Sequence, residues 1–182
     1  MPSADRLVWI DLEMTGLDPT RCVIIEIATL VTDAALNLVA EGPQIAVHMD
    51  AADEASLSEW SRETFTRSGL LDRCRASTVT RAEAEDQTLA FLSQHCLPGQ
   101  SPLCGNSVWN DRVFLWHGMR RLHDFTTHRN IDVSSFKEVL RRWYPKEYAP
   151  PAKRNLHDAL QDIRESVDEL RYYRDRFIAP RA

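Results

Sequence analysis

Leu7-Val8-Trp9-Ile10-Asp11-Leu12-Glu13-Met14-Thr15-Gly16-Leu17 is an apolar run that ends in two carboxylates and a glycine turn. Its first half reads as a buried strand and its second half as a site. Side chains alternate along a strand, so Asp11 and Glu13 project from one face where the strand leaves the core. No lysine or arginine lies within the run. Two anions held close on a low-dielectric wall must share a proton or hold a cation, because their repulsion is otherwise uncompensated. Hard oxygen ligands of this kind suit magnesium or manganese. An aspartate beside glycine and proline usually caps a turn, and Asp18 beside Pro19 fits that role. Asp11 and Glu13 precede the turn and still belong to the strand pattern.

The chain has 182 residues, 43% hydrophobic and 27% charged, which suits one globular domain, residues 1–182, with a substantial core. A net charge of -5 and a pI near 5.7 argue against a broad basic surface that tracks long nucleic acid, though not against a short or metal-bound phosphate ligand. The N-terminal residues lack an apolar targeting core, and no stretch approaches the roughly 20 apolar residues of a membrane span. A soluble, cytoplasmic protein is expected. Cys22, Cys74, Cys96 and Cys104 form no C-x-x-C pair and read as reduced packing residues.

Outward from the first strand, β-branched Val23 to Val31 predicts a hairpin partner, and Leu38 to His48 a third strand with an irregularity or edge at Gly42-Pro43. Helical patterning follows around Glu59 to Arg67, Gly69 to Arg75 and Arg81 to Cys96, the last with Ala84, Thr88, Leu92 and Cys96 on one stripe. A short strand at Pro102 to Gly105 precedes a helix that Asn106 or Ser107 can cap and that runs to about Leu122, with Asp111 near its start. Ile131 to Val133 predicts a fifth strand, and Ser134 to Tyr144 a helix. A proline loop over Tyr144 to Arg154 then leads to a helix with Leu156, Leu160, Ile163, Val167, Leu170, Tyr173 and Phe177 on its stripe. A meander followed by strands alternating with helices predicts an α/β fold, a mixed sheet covered on both faces.

Asp162 borders the buried stripe of the last helix, where an aspartate is costly unless paired. Taken singly, Asp111 and Asp162 are best explained as N-terminal aspartates facing a helix dipole, and His157 as a solvent-facing or capping residue. The set reads differently. W-I-D-L-E-M-T-G-L, I-I-E-I-A, S-G-L, C-G-N-S-x-x-x-D-R-x-F-L, I-D-V-S-S-x-K-E and H-D-A-L-Q-D-I-R-E-S occur in this order from about Leu7 to Phe177. Together they resemble the oligoribonucleases, ribonuclease-H-like exonucleases with four acidic residues and a histidine.

The resemblance implies that Asp11, Glu13, Asp111 and Asp162 bind metal and that His157 is the general base. It further implies a mixed five-stranded sheet between helices, a homodimer, and 3′-to-5′ cleavage of very short RNA to mononucleotides. Two divalent cations, Mg²⁺ or Mn²⁺, about 4 Å apart would activate the attacking water and stabilise the leaving 3′ oxygen. His157 would accept the proton of that water. Leu17 matches a family residue that wedges between bases, and Trp60 one that stacks on a base, which tolerates any base identity. Ser107, Arg129 and Ser134 match a cap on the substrate's 5′ phosphate, where an arginine and two hydroxyls give charged and neutral donors together.

Three positions depart from the family pattern. Phe65 stands where a histidine is usual near the base, His128 where a tyrosine usually reaches the partner subunit's cap, and Trp109 is unusual in the G-N-S segment. A DNA-trimming or proofreading exonuclease would share the five catalytic residues. The cap and the acidic charge favour short RNA over that reading. A silent nucleotide-binding module would not need the intact set, and a glycosidase using Asp11 and Glu13 leaves the other three without roles.

Overall fold

The computed structural model describes residues 1–150 and 158–178. Strands β1 (Arg6–Met14), β2 (Ile24–Asp33) and β3 (Leu38–Ala46) form an antiparallel meander. Strand β4 (Leu103–Gly105) lies parallel to β1, and β5 (Asn130–Asp132) parallel to β4, giving a mixed five-stranded sheet in the order β3-β2-β1-β4-β5. The architecture expected from the sequence is therefore present. Eight helices accompany the sheet among the described residues: α1 (Ala51–Ala55), α2 (Glu59–Arg67), α3 (Leu70–Ala76), α4 (Arg81–Ser93), α5 (Trp109–Gly118), α6 (Arg120–Phe125), α7 (Val133–Trp143) and α8 (Ala159–Phe177).

The two faces of β1 enter different cores. Val8, Ile10 and Leu12 pack with Ala84 and Leu92 of α4, Phe114 and Leu115 of α5 and Leu122 of α6. Trp9 turns the other way, with Ala28, Leu30 and the α8 stripe Ile163, Val167, Leu170 and Tyr173. Covering both faces explains why β2 is buried from Ile24 to Thr32 and reads as a continuous apolar run. A smaller cluster of Ile25, Met49, Leu57, Phe65, Leu70, Leu71 and Cys74 seats α2 and α3. Strand β3 is a half-exposed edge, which tolerates Pro43. Gly42 is required there by close approach, since a Cβ would lie 2.6 Å from the Phe91 ring of α4.

Several elements differ from the sequence expectation. Helix α4 stops at Ser93 rather than Cys96, because the His95 carbonyl accepts the Ser3 N–H at 3.0 Å and Ser3 bridges to Cys96. Pro98 also disfavours helix at the residue before it. The helix expected to run to Leu122 breaks into α5 and α6 at Met119 (φ -142, ψ 67), beside Gly118, a poor helix former. Helix α1 has no counterpart in the sequence reading: its capping box pairs Asp50 with Asp53, in place of the usual glutamate. Strand β3 ends at Ala46, short of His48. Residues 144–150 are non-helical as expected, whereas Leu156, His157 and the rest of the proline loop lie outside the described residues. All four cysteines are free, three of them buried.

Candidate active site

Asp11 and Glu13 share the β1 face that turns toward α8. Asp162 arrives in the first turn of α8, where Asp158 caps the helix by accepting the Gln161 N–H at 3.0 Å. The next residue, Ile163, anchors that turn in the core. Oxygens of Asp11, Glu13 and Asp162 lie within 4.8 Å of one another.

Asp111 is delivered by a different route. Strand β4 pairs with β1 only at Val8 and Trp9, so the N–H of Leu12 has no strand partner on that side. Asp111, buried in the first turn of α5, fills the gap: its Oδ1 accepts the Leu12 N–H at 3.1 Å. The cap expected from Asn106 or Ser107 is not formed; Val108 is the N-cap, with no side-chain hydrogen bond.

Burial dominates the electrostatics. It pushes Asp11 well above the usual carboxylate range, followed by repulsion from Asp111, Glu13, Asp162 and Glu26. Burial likewise raises Glu13 to about 8, with Glu26, Asp162, Asp111 and Asp158 adding to it. Asp111 rises to about 7, because burial outweighs the hydrogen bonds from the Leu12 N–H and its own N–H that favour the anion. The charged neighbours acting most strongly on Asp11 and Glu13 are all carboxylates. An all-oxygen, anionic, converging donor set fits a hard divalent cation such as magnesium or manganese.

An open cleft of about 580 Å³ borders Glu13, with Leu17, Trp60 and Phe65 among its lining. Leu17 is 80% and Trp60 58% exposed, so both side chains are open to this cleft. Phe65 is 1% exposed, with its ring edge-on to Trp60 at 6.2 Å between centroids, so it acts as floor and prop rather than as a free stacking face. Thr15, which the sequence did not single out, builds this cleft. Its N–H reaches the Val23 carbonyl, its carbonyl accepts the Ser58 N–H at the start of α2, and its hydroxyl contacts Ser56.

Ser107 and Ser134 come together, with their hydroxyls 3.1 Å apart. Ser107 adopts φ 53, rare for a residue with a side chain, and its N–H is held by Asp132 Oδ1 and Ser134 Oγ, both at 2.9 Å. Behind the serines Asn106 forms a hub: its Oδ1 accepts from Ser134, and its Nδ2 donates to Ser166 and to buried Glu169. Ser166 in turn donates to the Asp162 carbonyl at 2.8 Å, so one network joins the serines to the α8 turn. Arg129 and His128 stand at the opposite end of β5 and line a neighbouring cleft of about 660 Å³ with Thr126 and Thr127. Among the described residues no hydrogen bond joins Arg129 to either serine. The signal for Asn106 was the C-G-N-S motif itself, and for Glu26 a lone charge inside an apolar strand. His157 lies outside the described residues.

Residues 8–170 match the RNase_T family model, described as exonuclease. Curated oligoribonucleases are similar over nearly the whole chain: that of Pseudomonas paraeruginosa is 53% identical over 178 residues, covering 98% of this chain and 99% of its own. Those of Marinobacter nauticus and Burkholderia lata are 52% and 51% identical, each covering 97% of this chain, and 98% and 86% of their own. Solved structures share the fold at low identity. The exonuclease I of Methylocaldum szegediense has a TM-score of 0.70 at 18% identity, over 94% of this chain and 41% of that one. A zinc-bound E. coli ExoI–ssDNA complex gives 0.74 at 14%, over 95% of this chain and 41% of that one. The chain thus spans about two fifths of those exonucleases. With the sheet, the carboxylate cluster and full-length relatives in agreement, this chain is a nuclease belonging to the oligoribonuclease family.

Proposed function

We propose that the chain is a 3′-to-5′ exoribonuclease that degrades RNA fragments of two to five residues, dinucleotides foremost, to mononucleotides in the cytoplasm. The observation that carries this reading is the cluster of Asp11, Glu13 and Asp162, within 4.8 Å of one another, beside the cleft of Leu17 and Trp60. Asp11, Glu13, Asp111 and Asp162 would hold two divalent cations, magnesium or manganese. When bound, these ions supply water activation and charge stabilisation at the leaving oxygen.

The chain's own residues do the rest. Trp60 and Leu17 position the terminal bases by stacking and wedging, and Phe65 supports Trp60 from below. Asp111 holds the end of β1 through the Leu12 N–H, which keeps Asp11 and Glu13 in line with the cleft. His157 accepts the proton of the attacking water. Ser107 and Ser134 engage the 5′ phosphate, to which Arg129 extends from the other end of β5, with His128 contributed across a homodimer. A single-phosphate grip reconciles RNA binding with a net charge of -5. Exposed Trp109, Val113 and Trp116 share one face of α5 and support an interface between two copies. No helix among the described residues is long and apolar enough to cross a membrane.

The test is direct: labelled RNA of two to ten residues, and the matching deoxyribonucleotides, are incubated with magnesium or manganese and the products resolved. Mononucleotides released fastest from the shortest RNA support the proposal. Preferential trimming of DNA replaces it with a DNA exonuclease of the same fold.

A further inference from the structure

Glu26 is the only charged residue in the apolar run Val23 to Val31, and it is completely buried. It lies on β2 directly across from Glu13, beside a register shift that leaves Ile25 as the extra residue, and cross-strand partners share a face. Its Oε1 accepts Arg73 Nη1 of α3 at 2.6 Å and Gln44 Nε2 of β3 at 3.2 Å. Among the described residues its buried Oε2 has no hydrogen-bond partner. Leaving a carboxylate oxygen bare in the interior is costly. A bond that only fastened α3 to the sheet would not require it.

We infer that Glu26 is a positioning residue of the cation site: a carboxylate that binds no cation itself but adds negative charge behind Glu13, with Arg73 keeping it in place. The inference rests on the reading of Asp11, Glu13 and Asp162 as cation ligands. Glu26 stands outside their 4.8 Å group, so its effect is through charge and not coordination. Arg73 is 44% exposed while Glu26 is fully enclosed, so solvent screens the cation more than the anion and a net negative field reaches Glu13. Of the charged neighbours that disfavour the Glu13 anion, Glu26 acts most strongly.

The two ends of the pair should therefore act in opposite directions. In Glu26→Gln the metal-free protein should melt higher, the Mn²⁺ dissociation constant measured by calorimetry should rise roughly tenfold, and the Mn²⁺-induced rise in Tm should shrink. In Arg73→Gln the metal-free protein should melt lower and the Mn²⁺-induced rise should grow. A bond with only a structural role would lower Tm equally in both variants and leave Mn²⁺ affinity at the parent value, which overturns the inference. Asp11→Asn separates the two levels of the argument. If it abolishes Mn²⁺ binding while Glu26→Gln binds like the parent, the Glu26 role is wrong. If Asp11→Asn also binds like the parent, the cation reading of the cluster is wrong and takes Glu26 with it. Should Glu26→Gln fail to fold, Arg73→Gln decides alone: an enlarged Mn²⁺ response supports the inference and an unchanged one overturns it.

Discussion

Asp111 combines two tasks that a sequence pattern presents as one, accepting the Leu12 N–H and adding charge to the cluster. Asp111→Asn keeps a hydrogen-bonding oxygen and removes the charge, so it should fold, melt higher without metal, and lose nearly all nuclease activity; retained turnover would remove Asp111 from the site. The pH response follows from the raised carboxylates. Glu13 at about 8 lies above its ordinary 4.5, so the folded state binds the proton more tightly than the unfolded chain. That contribution is complete below about 4.5 and is lost as pH rises through about 8. The metal-free Tm should therefore fall between pH 5 and 8, and saturating Mn²⁺ should flatten the slope by neutralising the same charges; a flat metal-free profile would contradict the raised values. His157→Ala should lower kcat by about 10²–10⁴-fold with little change in KM, as expected for a general base. A KM effect alone would make it a substrate contact.

At the scale of elements, periodicity and turn residues placed all five strands and most helices, because burial on one or two faces leaves a direct mark on apolar spacing. The exceptions have specific causes. The α1 cap uses an aspartate pair, the α5–α6 break depends on backbone geometry at Met119, and the short α4 depends on a distant strand bridge from Ser3. The carboxylates were legible as an alternating pair plus two helix-start aspartates, although their convergence rested on the resemblance. Thr15 and Glu26 were not assigned roles and Asn106 was read only as a helix cap, since each works through hydrogen bonds to residues far away in sequence. The Gly42–Phe91 contact offers a check on how β3 meets α4. Gly42→Ala should cost about 1–3 kcal/mol through overpacking, measured by denaturant unfolding, and much less in a Phe91→Ala background. Equal costs in both backgrounds would show that the ring is not what the glycine avoids.

For the whole molecule, the serine pair and Arg129 frame a length test. Cleavage should be fastest on 5′-phosphorylated dinucleotides, fall with each added residue, and drop when the 5′ phosphate is removed; Arg129→Ala should weaken that preference, at about 1.5–3 kcal/mol for a charge-assisted bond. Equal rates on two- and ten-residue RNA would dismiss the cap. Trp109→Glu with Trp116→Glu should convert a dimer to a monomer in light scattering, and an unchanged mass would place any interface elsewhere. The sheet carries a further consequence. Asp111 grips β1 at Leu12, and the Trp9 indole N–H donates to Thr32 at 3.0 Å on the opposite face, so β1 is gauged from both sides. A slip of one residue would swing Asp11 and Glu13 into the apolar layer against α4 and α5, break both bonds, and bury charge in place of Ile10 and Leu12. A misaligned chain could not survive as a folded but inactive impostor: the error that ruins the chemistry also ruins the core, so faulty copies would unfold rather than sequester RNA.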